Sequence, residues 1–127
     1  MPTASTGTVK GGATVLVVRD LQRSIEFYRD VLGFSVEFSY GEPAWYAGVE
    51  RGQLQIHLQA DHTKRQPGQG AVYAFVDDAD ALFDEFKARG ADLPTGPKDY
   101  PYGMRDFDLL DPDGNQLSFG AQSKTGR

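Results

Sequence analysis

Apart from its carboxylates, this 127-residue chain offers two histidines, His57 and His62, and no cysteine for metal or nucleophilic chemistry. The lack of thiol removes cysteine nucleophiles, disulfides and cysteine-based zinc or iron–sulfur sites. No Ser-His-Asp arrangement, phosphate-binding loop or dinucleotide fingerprint is present either. His57 sits in an alternating run: Leu54, Ile56 and Leu58 point one way, and Gln53, Gln55, His57 and Gln59 the other. The apolar set has to meet the core, so His57 faces away from it, whether as a metal ligand, a ligand-contacting imidazole or a hydrogen-bonded strand histidine. His62 falls in a polar loop and reads as solvated. A site made of His57, Asp61 and His62 would have to close around a turn.

Trp45 is the single tryptophan and stands beside Tyr46, with Phe38 and Tyr40 close in the chain. Such a group suits stacking on a planar ligand, worth about 0.5–1.5 kcal/mol beyond the area buried, or packing in a core or interface. In Met104–Leu110, Phe107 and Leu109 take the core side, which puts Asp106 and Asp108 opposite. In the last apolar run Leu117 and Phe119 go to the core, leaving Gln116 and Ser118 on the other side. The run 71–76 is apolar on both sides, Tyr73 and Phe75 alternating with Ala74 and Val76, as in a strand that is buried twice or lines an apolar pocket. Asp77, Asp78, Asp80, Asp84 and Glu85 cluster at a helix start, where the macrodipole favours carboxylates, and read as a solvated face.

The elements that must position these groups repeat. A short β-rich run at 13–18 is followed by Asp20, a helix N-cap, and a helical pattern closed by Gly33. Three antiparallel strands follow, around turns at 41–43 and 50–52. After the polar loop 60–70 comes a strand, the N-cap Asp78, a helix presenting Leu82, Phe83 and Phe86, and the closing Gly90. A short Pro-broken edge strand is expected at Ala91–Thr95, then strands on either side of the Asp111–Gly114 turn. Val17 corresponds to Phe75 and Gly33 to Gly90, so two β-α-β-β-β units follow one another. Each would cover one sheet face with its helix, and the other faces could combine into a concave cleft.

Composition narrows the class. At 39% hydrophobic, 12% aromatic and 24% charged, the chain carries apolar material for one core and reads as a single soluble domain. No stretch approaches the roughly 18–20 apolar residues of a membrane span, and residues 1–12 lack the apolar region of a secretory signal. A cytoplasmic protein without a membrane partner is expected. A net charge of −5 and a pI near 4.9 tell against nucleic-acid binding.

Two motifs carry a family resemblance: V-R-D-L-Q-R-S-I-E-F-Y-R-D-V-L-G-F at Val18–Phe34, and Y-G-M-R-D-F followed by D-P-D-G-N-Q-L-S-F within Tyr102–Phe119. Together they resemble the vicinal oxygen chelate superfamily, the group of glyoxalase I, the bleomycin resistance proteins and the extradiol dioxygenases. The resemblance implies an α+β fold of two βαβββ modules forming a concave cleft, as a homodimer. The modules would span 13–59 and 71–120, joined by a linker at 60–70, with an arm-like segment at 1–12 and a tail at 121–127. Its enzymes hold a divalent metal at four strand positions, which here are Ala13, His57, Ala71 and Ser118. A methyl group has no lone pair and neutral serine is a poor ligand, so no metal and no cofactor are expected, and the same positions weigh against catalysis. The metal-free members implied by this pattern sequester a bleomycin-type glycopeptide, or a similar planar or cationic toxin, in a dimer cleft. The alternative within the superfamily is a metal-dependent lyase, isomerase or dioxygenase. The ligand-binding set expected from the resemblance and the strand faces is Phe38, Trp45, Tyr46, His57, Tyr73, Tyr102, Arg105, Asp108 and Ser118. Tyr102 would cover the cleft mouth, and Arg105 would serve either there or in a pair with a nearby Asp.

Overall fold

The computed structural model describes residues 7–123; residues 1–6 of the expected arm and 124–127 of the expected tail lie outside them. The chain runs β1 (Thr14–Val17), α1 (Leu21–Glu26) continued by a π-helical turn (Phe27–Val31), β2 (Ser35–Gly41), β3 (Ala44–Arg51), β4 (Leu54–Gln59), β5 (Ala71–Phe75), α2 (Ala79–Ala88), β6 (Lys98–Asp99), β7 (Met104–Leu110) and β8 (Gln116–Gln122). Two four-stranded sheets result, ordered β1-β4-β3-β2 and β5-β8-β7-β6. β1 lies parallel to β4 and β5 parallel to β8, while the remaining ladders are antiparallel. A helix carries the chain across one sheet face, so the last strand of each module returns parallel to the first, and tight turns supply the rest. This is the α+β architecture of two repeated modules that the sequence implies.

Both helices begin on their aspartates. The Asp20 carboxylate accepts from the Arg23 N–H and Asp78 accepts from the Ala81 N–H, each at 3.0 Å. Both helical segments are followed by a glycine in the left-handed region, Gly33 at φ 73° and Gly90 at φ 95°, where a side chain would be strained. The expected edge strand at Ala91–Thr95 does not form. Pro94 and Pro97 supply no N–H to a ladder, and Leu93 packs against the core instead, so pairing waits for Lys98–Asp99 opposite Asp106 and Arg105. The last strand passes Gly120 and continues to Gln122, which pairs with Met104, so the first residues of the expected tail are strand.

One core joins the modules. Ala47, Val49, Ile56 and Leu58 of the first sheet, Phe107, Leu109, Leu117 and Phe119 of the second, and Leu21, Ile25, Tyr28 and Phe86 of the helical segments belong to a single buried cluster. Each buried Val, Leu, Ile or Phe among these contributes about 1.5–3 kcal/mol by leaving water. Polar ties cross the same seam. The buried Tyr28 hydroxyl donates to Asp111 Oδ2 at 2.9 Å, and Asn115 Nδ2 donates to the Val17 carbonyl at 3.1 Å. Burial and the adjacent Asp111 carboxylate hold the Tyr28 hydroxyl well above the usual phenol range. Arg51 donates through both terminal nitrogens to Glu85 at 2.8 Å and also caps the Leu32 carbonyl. The D-P-D-G-N turn is therefore a joint: Asp111 accepts from the backbone of Asp113 and Asn115 while receiving the Tyr28 hydroxyl.

Candidate functional site

Because the shared core takes one face of each sheet, the opposite face of each stays open, and that is where the candidate side chains stand. On the first sheet, Phe38 and Tyr40 of β2, Tyr46 of β3 and His57 of β4 share this face. Ala47, Val49, Ile56 and Leu58 alternate with them into the core. The Tyr46 hydroxyl and His57 Nδ1 share a hydrogen bond of 2.8 Å. The Phe38 ring meets the His57 ring edge-on at 5.3 Å, and lies parallel to Tyr46 within 19° at 6.2 Å. Phe38 reaches His57 from β2 by crossing Gly48 of β3, which is paired with both. A Cβ at position 48 would collide with the Phe38 ring, so glycine is required here for close approach.

The second sheet repeats the device with different chemistry. Tyr73 of β5 crosses Gly120 of β8 and donates its hydroxyl to Asp106 Oδ2 of β7 at 2.9 Å. A Cβ at 120 would meet the Tyr73 hydroxyl. Tyr102 donates to the same oxygen at 2.8 Å and stacks on Tyr100, rings 5.3 Å apart and 7° from parallel. Beside them Ser118 Oγ donates to Asp108 Oδ1, at 2.6 Å. Burial and the Asp106 carboxylate push the Tyr73 hydroxyl up to about 12, and the hydrogen bond to Asp106 raises that of Tyr102, so both remain donors at neutral pH. Phe75 projects from the same face and is 83% exposed; Tyr102 is 62% exposed. A cavity of about 660 Å³ runs from the seam between the modules, lined by Phe34, Leu54 and Leu82, onto Tyr73 and Phe75. Its rim holds the Arg51–Glu85 pair, whose hydrogen bonds hold the Glu85 carboxyl down at about 2.

Seven of the nine expected ligand-binding residues thus fall on the two open faces or their rim: Phe38, Tyr46 and His57 on one, Tyr73, Tyr102, Asp108 and Ser118 on the other. Trp45 stands at the end of the first face, and Arg105 on the helix side of the second sheet. At the start of β3 the Trp45 indole meets the rings of Tyr40 and Tyr46 edge-on, each at 5.8 Å. Trp45 borders a depression of about 580 Å³ with Leu21 at the start of α1 and Ala60 after β4, its indole 4.2 Å from the His62 ring. Arg105 lies on the helix side, donating to both oxygens of Asp80 on α2 at 2.9 and 3.0 Å and pairing with Asp99 at 3.4 Å. Asp106 and Phe75 belong with the open face of the second sheet although the expected set omits them. Their signal in the sequence was parity, since they alternate with Phe107 and Ala74. Among the described residues no hydrogen bond or ring contact joins the two open faces to each other.

The four positions at which the resemblance implies metal ligands do not fit a divalent ion. Ala13 and Ala71 carry methyl groups and the Ser118 hydroxyl is spent on Asp108, which leaves His57 alone where about three protein ligands are needed. Among the described residues, no three His, Cys, Asp or Glu side chains come together in an arrangement for a metal.

Comparison with known proteins agrees with this architecture. A bleomycin resistance protein of Geobacillus stearothermophilus is 31% identical over 129 residues, covering 87% of this chain and 95% of its own. The bleomycin-binding protein of the bleomycin producer Streptomyces verticillus, solved with copper(II)-bleomycin, superposes with a TM-score of 0.75 at 29% identity, over 93% of this chain and 100% of that one. An antibiotic binding protein, TnmS3 from Streptomyces sp. CB03234, shares the fold at a TM-score of 0.73 and 23% identity, over 92% of this chain and 100% of that one. Residues 11–119 match the family described as Glyoxalase/Bleomycin resistance protein/Dioxygenase superfamily, and with two βαβββ modules around one core the chain belongs to it.

Proposed function

We propose that this protein binds and sequesters a planar, cation-bearing small molecule of the bleomycin type. In this reading two copies associate so that the open face of the first sheet of one protomer confronts the open face of the second sheet of its partner. The observation that carries the reading is the concentration of exposed aromatic side chains on these two faces: Phe38, Tyr40, Tyr73, Phe75 and Tyr102. Exposed apolar patches of this kind mark interaction surfaces. The first face offers stacked rings around a hydrogen-bonded imidazole, and the second offers rings around carboxylates. A planar group between such faces gains stacking and loses water on both sides. Relatives named for bleomycin resistance and bleomycin binding support the same ligand class.

Sequestration needs affinity and stoichiometry, not bond chemistry. A micromolar Kd corresponds to about 8 kcal/mol of binding free energy, within reach of one stacked ring system and one paired charge. The test is calorimetric titration of the purified protein with metal-free and copper-loaded bleomycin, with molar mass measured by light scattering on the same sample. One ligand per chain on a dimer is expected. A monomeric protein, or the absence of both heat and thermal shift with either form of the drug, overturns the reading.

A further inference from the structure

Asp106 is a buried carboxylate that forms no ion pair among the described residues. It is 5% exposed, and both of its hydrogen-bonded partners, the Tyr73 and Tyr102 hydroxyls, are neutral donors converging on one oxygen, Oδ2. Its other oxygen receives no hydrogen bond from a described residue, and no Lys or Arg among them forms an ion pair with Asp106 or Asp108. The nearby basic residues form no ion pair with Asp106. Arg105 points to the helix side and is held by Asp80 and Asp99, while Lys98, register partner of Asp106 on β6, makes no ion pair with it. Buried carboxylates are normally paired, because an uncompensated charge in low dielectric is costly. A hollow of about 590 Å³ bounded by Phe75, Tyr102, Gly120 and Gln122 opens beside this arrangement.

We propose that Asp106 is the charge selector of the second sheet's open face: it makes the hollow between Phe75 and Tyr102 prefer a planar organic cation over a neutral molecule of the same shape, with Tyr73 positioning the carboxylate. The inference rests on the small-molecule reading above and names the charge of the group that this half-site takes. Physically, a buried carboxylate is screened less by water and salt than a surface one, so it acts on a cation stacked above it without direct contact. The hydrogen bond from Tyr102 to the anion also places electron density on the phenol ring, which strengthens that ring's attraction for a cation over its face. Gly120 is part of the device, since only without a Cβ does the Tyr73 hydroxyl pass over β8 to reach β7.

The test uses two probes of one shape, N-methylacridinium, a permanent cation, and acridine, neutral at mildly alkaline pH, titrated by fluorescence into the full-length protein. The wild type is expected to bind the cation about tenfold more tightly, equivalent to about 1.4 kcal/mol, with the preference shrinking as salt rises. Asp106→Asn retains an acceptor for both tyrosines. It should abolish the preference while leaving acridine affinity within about twofold, and Asp84→Asn, on the exposed face of α2, should keep it. Equal affinity of the wild type for the two probes overturns the selector and leaves bleomycin binding to be decided by its own titration. Binding of neither probe overturns the selector together with the planar-ligand reading of this face. Loss of the preference in Asp84→Asn but not in Asp106→Asn overturns the assignment to Asp106. Should Asp106→Asn fail to fold, the same pair of titrations on Asp106→Ser, which also removes the charge, decides the assignment, and an undiminished preference there overturns it.

Discussion

A single methyl group at Gly48 or Gly120 tests the two open faces at the scale of one residue. Neither glycine has a positive φ, so alanine is allowed by the backbone, and what it disturbs is the ring that crosses it. In Gly48→Ala, Phe38 is forced off β3 and loses its edge contact with His57, at a cost of about 0.5–1.5 kcal/mol in aromatic packing. The expected result is a folded protein whose bleomycin affinity falls about two- to tenfold; unchanged affinity by calorimetry would show that Phe38 takes no part. At this scale the sequence is legible through parity. The alternation rule sent His57, Asp106, Asp108 and Ser118 to open faces because their neighbours Ile56, Phe107, Leu109, Leu117 and Phe119 are buried. Trp45 was grouped with Tyr46 and Tyr40 by closeness in the chain, and its ring meets both edge-on at 5.8 Å at the start of β3, where alternation alone would have parted it from Tyr46. The crossing of Tyr73 over Gly120 to Asp106 was not legible, because it joins residues of three strands far apart in the chain.

Between elements, the Arg51–Glu85 pair ties the β3–β4 turn to α2, and Arg89 reinforces it by donating to Glu85 at 3.0 Å. The folded-state pKa of Glu85 lies near 2, below the roughly 4.3 of an unfolded glutamate. Its contribution is therefore fully present above about pH 5 and lost as pH falls toward 2. Each partner is about one-third exposed, so solvent screening limits the contribution to about 1 kcal/mol. Glu85→Gln is expected to lower stability in urea by that amount at pH 7, with the gap from wild type closing as the melts are taken toward pH 3. A gap independent of pH would assign the loss to packing. The elements themselves were read correctly where capping chemistry is local, as at Asp20, Gly33, Asp78 and Gly90. The edge strand was displaced because Pro94 and Pro97 break the ladder and Leu93 is drawn to the core.

For the whole molecule, one protomer leaves both sheet faces uncovered, with Phe75 the most exposed aromatic ring. If a second copy covers them, a charge at that position must be desolvated on association. Phe75→Asp is expected to shift the mass measured by light scattering toward the 13.9 kDa of one chain, while its thermal stability at high dilution matches that of the wild type. A Phe75→Asp protein with undiminished association would remove this face from the interface. Composition does not decide between these roles: an aromatic content of 12% describes a core, a binding face or an interface equally well.

What the sequence decided alone is whatever depends on short range and repetition. The order of elements, their caps and the face of each strand follow from neighbours a few residues apart, where sterics and hydrophobic period act, and the duplication of the module follows from the repeat. What only the folded chain decided is which open-face groups meet. Phe38 and His57 touch because Gly48 lets a ring pass, Tyr73 and Tyr102 converge on Asp106 because Gly120 does the same, and Arg105 is lost to Asp80 because its strand turns it toward α2. These contacts are set by registers between strands distant in the chain, and register is fixed by the shared core that all of the strands must build together.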